Sequence, residues 1–313
     1  MTRQYTQTAL VTGAAGFIGS HLVDALLEQN LRVVGLDNLS TGTKSNLEIA
    51  LEHEAFNLIE GDIRDRETIE HACDKVKVIF HLAAVTKVAE SLRNPQKYHD
   101  INVKGTQNVI NAAVNKQVSR LVFTSSAAVY GTPAKIPIPE EISPNPLSPY
   151  GTSKVEGERL CQEAANQQNL QAPQLRCFNV YGPRQTIDNE AGVISIFLHR
   201  ARQGLPLVIY GDGHQTRDFI YIEDAVEAFI RAATLDAVST QPINLGTGIA
   251  ISIRELAEEI QNQVPSCPIE IQYEVPRAGD IYHSVARIDR LRRILDFTPR
   301  YALRNGIAKT LEF

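Results

Sequence analysis

Tyr150 and Lys154 stand four residues apart in the run Tyr150-Gly151-Thr152-Ser153-Lys154. If this run is helical, both side chains share one face. A phenol titrates near ~10, too high for a base at neutral pH. A neighbouring ammonium and a positively charged ring would favour the phenolate and lower that value. The apolar run Arg120–Thr124 leads into Ser125-Ser126. Ligands of parallel α/β sheets sit beyond the carboxyl ends of the strands, so a hydroxyl of Thr124, Ser125 or Ser126 can meet the tyrosine there. Taken alone, a Tyr and a Lys at this spacing read equally as a surface pair.

A second constellation is Gly13-Ala14-Ala15-Gly16-Phe17-Ile18-Gly19. It follows the strand-like Thr8–Val11 and precedes the helical Ser20–Gln29. Gly13, Gly16 and Gly19 permit a tight turn, close backbone approach to a pyrophosphate, and close packing of helix on strand. The helix N-terminus then faces the phosphates. The glycine spacing is weak evidence by itself; the strand before and the helix after supply its context. Asp37 ends the next strand, 18 residues beyond Gly19, and is followed by Asn38 rather than Arg. A carboxylate there accepts both ribose hydroxyls and repels a 2′-phosphate, so NAD is expected over NADP. The bland alternative is that Asp37 caps a turn. Asp62-Ile63 ends the third strand and could hold the adenine edge, or serve only as a turn.

The elements that must position these groups are legible as an alternation. Thr8–Val11, Arg32–Leu36, Phe56–Ile59, Val76–Leu82, Arg120–Thr124 and Gln174–Phe178 are short apolar runs of strand type, nearly continuous as if buried on both faces. Ser20–Gln29, Asp65–Lys75, Pro95–Asn115 and Tyr150–Asn169 between them have helical spacing. This order predicts an α/β fold of Rossmann type, a doubly wound parallel sheet with right-handed crossovers. After about Phe178 the loops lengthen and helices such as Ile222–Ala233 and Ile253–Val264 are separated by short strands. Residues 1–178 are expected to form the cofactor domain, with 218–246 returning to it. Residues 179–313 are expected to form mainly a smaller substrate lobe.

The chain has 313 residues, 43% hydrophobic and 21% charged, with a formal net charge of -5. That composition is ordinary for a globular protein. No basic patch dominates, which argues against nucleic acid as a partner. No apolar run reaches the ~18 residues of a membrane span. The polar start leads straight into a strand, so no signal peptide is expected. Cys73, Cys161, Cys177 and Cys267 have neither metal-ligand nor disulfide spacing and are expected as core thiols of a cytoplasmic protein. No metal is expected.

These motifs together resemble the extended short-chain dehydrogenase/reductase family, and within it the nucleotide-sugar 4-epimerases. The match spans essentially the whole chain. It rests on Val11-Thr12-Gly13 through Gly19, His81-Leu82-Ala83-Ala84, Asn102-Val103-Lys104-Gly105-Thr106, Ser125-Ser126-Ala127-Ala128-Val129-Tyr130-Gly131, and Tyr150 with Lys154. Arg176-Cys177-Phe178-Asn179-Val180-Tyr181-Gly182-Pro183-Arg184 and Arg217-Asp218-Phe219 complete it. The resemblance implies that Phe17, Ile18, Asn38, Ile63, Leu82, Ala83, Ala84, Thr86, Asn102 and Phe178 touch NAD. It implies that Ser126 hydrogen-bonds the sugar and that Asn179, Arg217 and Arg277 hold the diphosphate. Val193, Val208, Tyr210, Asp280 and Ser284 would complete the substrate pocket. Guanidinium forks suit phosphate oxygens physically.

Family dehydratases carry an Asp-Glu pair after the catalytic hydroxyl, and related decarboxylases a Glu; here Ala127 and Ala128 stand there. Neither carries a proton, which favours simple oxidation and re-reduction at C4 over elimination. The implied substrates are UDP-glucose and UDP-galactose. The small Ser284 would admit their N-acetyl forms as well. Another nucleotide-sugar epimerase (a UDP-glucuronate 4-epimerase, for example), a dehydratase, and a non-catalytic NAD sensor are the alternatives. The family also implies a homodimer joined by a four-helix contact of Pro95–Asn115 and Tyr150–Asn169.

Overall fold

Strands buried on both faces must be apolar at successive positions, and here they are. In β1 (Thr8–Thr12), Ala9 and Val11 face one core while Leu10 faces the other, all fully buried. The same alternation runs through β2 (Arg32–Asp37), β4 (Val78–His81) and β5 (Arg120–Ser126), whereas the edge strand β3 (Phe56–Glu60) exposes Asn57 and β6 (Gln174–Cys177) alternates Leu175 and Cys177 with the buried polar Gln174 and Arg176. Each such Val, Leu, Ile or Phe contributes roughly 1.5–3 kcal/mol by leaving water. These coordinates are a computed structural model that describes residues 7–168, 170–186, 192–234, 241–264, 269–276, 279 and 281–313.

The six strands pair in the order β3-β2-β1-β4-β5-β6, and Ile243–Leu245 adds a seventh beside β6. Every pairing is parallel. The sheet is therefore the Rossmann-type α/β sheet expected, with its order reversing between β1 and β4, where such sheets open a crevice. The three-residue strand Ile243–Leu245 has too little sequence to show a period. Val76 and Leu82 fall outside β4.

Helix α1 (Phe17–Glu28) starts three residues earlier than the sequence suggested, so Gly19 lies in its first turn rather than before it. Pro95–Asn115 is helical throughout, but its winding changes. Pro95–Tyr98 is α, His99–Gly105 is π, and Thr106–Asn115 is α again. A π segment leaves no signature in hydrophobic spacing, and such segments gather at functional sites. Helix α2 (Pro149–Gln168) carries Tyr150 and Lys154 in its first turns.

Beyond β6 the pieces are small. Asn179–Tyr181 pairs with Phe219–Tyr221, and Leu207–Tyr210 with Ile271–Glu274. Thr216–Arg217 lies between Ile251–Ser252 and His283–Ser284. Asp218, fully buried, ties this region together: its carboxylate accepts from the amides of Thr247, Gly248 and Ala286 and from the Thr247 hydroxyl. Cys73, Cys161 and Cys177 are buried thiols, whereas Cys267 lies outside the described residues.

Candidate active site

A cleft of about 820 Å³ opens at the carboxyl ends of β1, β2, β4, β5 and β6. Of the residues expected at the cofactor, Gly13, Gly16, Phe17, Ile18, Gly19, Asp37, Asn38, Asp62, Ile63, Leu82, Ala83, Ala84, Thr86, Tyr150, Lys154 and Phe178 line it. Ser126, Asn179 and Val193 line it too. Its floor is a glycine cradle that side chains would fill. A Cβ on Gly13, at φ +73°, would come 2.8 Å from the Ala83 amide nitrogen, and one on Gly16 3.2 Å from the Gly13 oxygen. One on Gly19 would land on the Gly13 carbonyl oxygen. Backbone laid bare at a helix N-terminus is what a pyrophosphate requires, so the residues present fit a dinucleotide.

Asp37 serves the turn and faces the cleft at once. Its carboxylate accepts from the Ala15 amide at 2.9 Å and the Leu39 amide at 2.8 Å. An ionised carboxylate has about four acceptor sites, so two remain for ribose hydroxyls. Burial pushes its pKa up, opposed by those two amides. Asp62 is engaged more fully. Arg64 grips it with two guanidinium bonds and its own amide, and Asn38 donates to it at 2.8 Å. The Arg64 bonds, first of all, hold its pKa at about 2.

The chemistry-bearing side chains meet deep in the cleft. Tyr150 is 9% exposed and lines the cleft together with Ser126. The Ser126 oxygen also accepts from the Ala128 amide, capping the short turn Ala127–Tyr130. Lys154 is 4% exposed; its ammonium donates to the Thr124 carbonyl at 2.8 Å and sits 6.0 Å from the Tyr150 ring centre. Burial pushes Tyr150 up to about 12, with the neighbouring Ser126 hydroxyl pulling the other way. Burial likewise pushes Lys154 down to about 8. In the protein alone, desolvation therefore outweighs the help the sequence assigned to the lysine, and a phenolate needs a further cation beside it.

Asn102 departs from its expected place. It is 2% exposed and does not line the cleft. Its oxygen accepts from the Val85 amide; its nitrogen donates to the Val85 carbonyl and the Ser153 hydroxyl, which in turn donates to the Tyr150 carbonyl. Asn102 therefore binds the loop after β4 to the turn that carries Tyr150. The π winding places it there, which is why spacing alone did not show this role.

His81 makes a parallel tie between neighbouring elements. The Thr106 hydroxyl donates to the Asn102 carbonyl, so its oxygen accepts from His81 Nε2 at 2.8 Å. His81 Nδ1 then accepts the Thr12 hydroxyl at 2.7 Å, and the Thr12 oxygen accepts from the Ala83 amide. Burial pushes His81 down to about 3, so it is neutral in the fold. Unfolded, it takes up a proton below about 6.5. Stability is thus fully present above that pH and is lost as pH falls toward 3, by about 1.4 kcal/mol per unit. Urea midpoints between pH 7 and 5 should fall less steeply in His81→Gln than in the parent; equal slopes would contradict this account.

The substrate half is less closely assembled. Asn179 lines the cleft and donates to the Asp218 carbonyl at 3.0 Å. Arg217 and Ser284 are register partners in adjacent strands, both half-buried, and neither lines the cleft. Val208 and Tyr210 lie on Leu207–Tyr210, also outside its lining. Arg277 and Asp280 lie outside the described residues. Gln185 and Thr186, which no motif marks, also line the cleft. No spacing singles them out, because a loop brings them there.

Comparison with known proteins agrees with this geometry. The chain is 42% identical over 306 residues to the UDP-glucose 4-epimerase of Mycolicibacterium smegmatis, covering 97% of each. It is 34% identical over 310 residues to UDP-glucuronic acid decarboxylase 1 of Xenopus tropicalis, covering 97% of this chain and 71% of that one. Its structure is similar, with a TM-score of 0.94 and 34% identity, to the UDP-N-acetylglucosamine 4-epimerase of Methanobrevibacter ruminantium M1 in complex with UDP-N-acetylmuramic acid; 99% and 98% of the two chains are covered. Residues 9–246 match the model of the NAD dependent epimerase/dehydratase family. A parallel sheet reversing between β1 and β4, a glycine cradle at that reversal and a Tyr-Lys pair beyond it agree with that match, and the chain belongs to the NAD-dependent epimerase/dehydratase family.

Proposed function

We propose that the protein is a UDP-hexose 4-epimerase, interconverting UDP-glucose and UDP-galactose through a 4-keto intermediate. The observation that carries this is the turn after Ser126. Ala127 and Ala128 stand where the dehydratases it resembles carry acids, while Ser126, Tyr150 and Lys154 line the cleft. Tyr150 takes the proton from the sugar 4-hydroxyl and later returns it. Ser126 holds that hydroxyl in line. Lys154, fixed on the Thr124 carbonyl, keeps positive charge near the phenol. When bound, NAD supplies a positively charged ring that favours the phenolate and a site that takes and returns a hydride. Asn179, Arg217 and Arg277 hold the diphosphate while the sugar turns its other face.

This reading places the cofactor domain at residues 1–178, with 218–246 returning to it, and the substrate lobe mainly at 179–313. It also makes the protein a cytoplasmic homodimer through Pro95–Asn115 and α2. Val88 and Leu92, exposed on the neighbouring helix Val88–Arg93, supply apolar surface beside that face. A substrate panel of UDP-glucose, UDP-galactose, their N-acetyl forms and UDP-glucuronate tests the activity. C4 epimers of the neutral sugars support it. Loss of carbon dioxide from the uronate, a dehydrated sugar, or no product at all would overturn it.

Ser284 sets breadth in this reading. It is small, and the strand pairing holds it opposite Arg217. The N-acetyl sugars should therefore be accepted alongside plain hexoses. In Ser284→Tyr, overpacking by about 1–3 kcal/mol should cut kcat/KM for the N-acetyl sugars about tenfold or more and leave plain hexoses near the parent value. Equal losses for both types would refute the role.

A further inference from the structure

The loop after Asn179–Tyr181 is fastened to the cofactor-side helix by two bonds. Arg184 pairs with Asp24 of α1 at 2.7 Å, the side chains only 13% and 23% exposed. The ring Nε2 of His21, one turn earlier on α1, donates to the Pro183 carbonyl at 3.0 Å. Phe17, at the start of the same helix, meets the His21 ring edge-on and lines the cleft. Arg184 has φ +63°, the left-handed region that glycine tolerates and arginine does not favour. Such strain persists only where neighbouring bonds hold it, and it gathers at ligand clamps. The next two residues, Gln185 and Thr186, line the cleft. Gln185 is held in turn by the Ser195 hydroxyl and by its own bond to the Val180 carbonyl.

We propose that Arg184 is a positioning residue whose ion pair with Asp24 holds the loop in its left-handed turn, so that Gln185 and Thr186 face the sugar nucleotide. The assignment of that ligand rests on the function proposed above. Neither Arg184 nor Asp24 lines the cleft that holds Tyr150 and the glycine cradle, so the pair acts on binding of the sugar nucleotide and leaves the chemical step and NAD affinity alone.

Three variants separate strain from charge. Arg184→Ala and Asp24→Asn each remove the pair while leaving a residue that resists positive φ. Arg184→Gly removes the pair and the resistance together. A left-handed residue costs roughly 1–2 kcal/mol unless it is glycine, a factor of about 5 to 30 in the loop equilibrium. KM for UDP-glucose should therefore rise about tenfold in Arg184→Ala and Asp24→Asn, and clearly less in Arg184→Gly, with kcat and NAD affinity near the parent values in all three. Amide hydrogen exchange across 182–186 should quicken in the same order, alanine and asparagine variants before glycine. An Arg184→Gly defect as large as that of Arg184→Ala, a loss in kcat at unchanged KM, or unaltered exchange would overturn the proposal. Exchange needs no substrate: if the parent fails to bind UDP by calorimetry, the sugar-nucleotide reading falls while the exchange order still decides the clamp.

Discussion

Tyr150→Phe should lose about 10²- to 10⁴-fold in kcat, the range of a positioned acid-base group. Only the phenolic oxygen is removed. The ring keeps its edge-on packing against Tyr98, at 6.4 Å between centres, and Asn102 keeps its hold on the Tyr150 carbonyl through Ser153. NAD and UDP affinities should therefore stay near the parent values. The effect is large because the neighbouring cation is no substitute base. Lys154, lowered by burial to about 8, is still mostly protonated at neutral pH and donates to the Thr124 carbonyl. Single-turnover kinetics with calorimetry of both ligands checks this. Near-parent turnover in the variant would reject Tyr150 as the proton carrier.

Gly19→Ala should weaken NAD binding about 100-fold. The added methyl would land on the Gly13 carbonyl oxygen and within 3.1 Å of the Ala14 α-carbon. Both are backbone atoms of the turn that faces the pyrophosphate, so the turn must move rather than a flexible side chain. Overpacking of this kind costs about 1–3 kcal/mol, and a backbone obstacle belongs at the upper end, equivalent to about two decades in affinity. Fluorescence titration with NAD measures it, with thermal unfolding beside it to show that the variant folds. A folded Gly19→Ala that binds NAD like the parent would show that the cradle is not the pyrophosphate site.

The first half of the chain was legible because its physics is local. A parallel strand buried on both faces must be apolar throughout, and Ala9-Leu10-Val11 shows this directly. Gly13 and Gly19 were legible because their positions admit no side chain. Tyr150 and Lys154 were legible because one helical turn suffices to juxtapose them. What escaped depends on tertiary context. The role of Asn102 follows from a π segment that hydrophobic spacing cannot encode. Gln185 and Thr186 reach the cleft only because Arg184 turns the loop against Asp24, more than a hundred residues away in sequence. Asp218, the neighbour of Arg217, is a buried hub that ties its own segment to the Thr247-Gly248 turn and to Ala286. Its importance lies in backbone amides that carry no residue signature.

The central claim is oxidation and re-reduction at C4 without loss of atoms. It is tested most directly by incubating the purified protein with UDP-glucose that carries deuterium at C4 and following the sugar by NMR. The account predicts UDP-galactose with the deuterium still at C4, because the hydrogen that leaves one face of the sugar is the one returned to the other. A product with protium at C4, a deoxy-keto sugar, or unchanged UDP-glucose would contradict it.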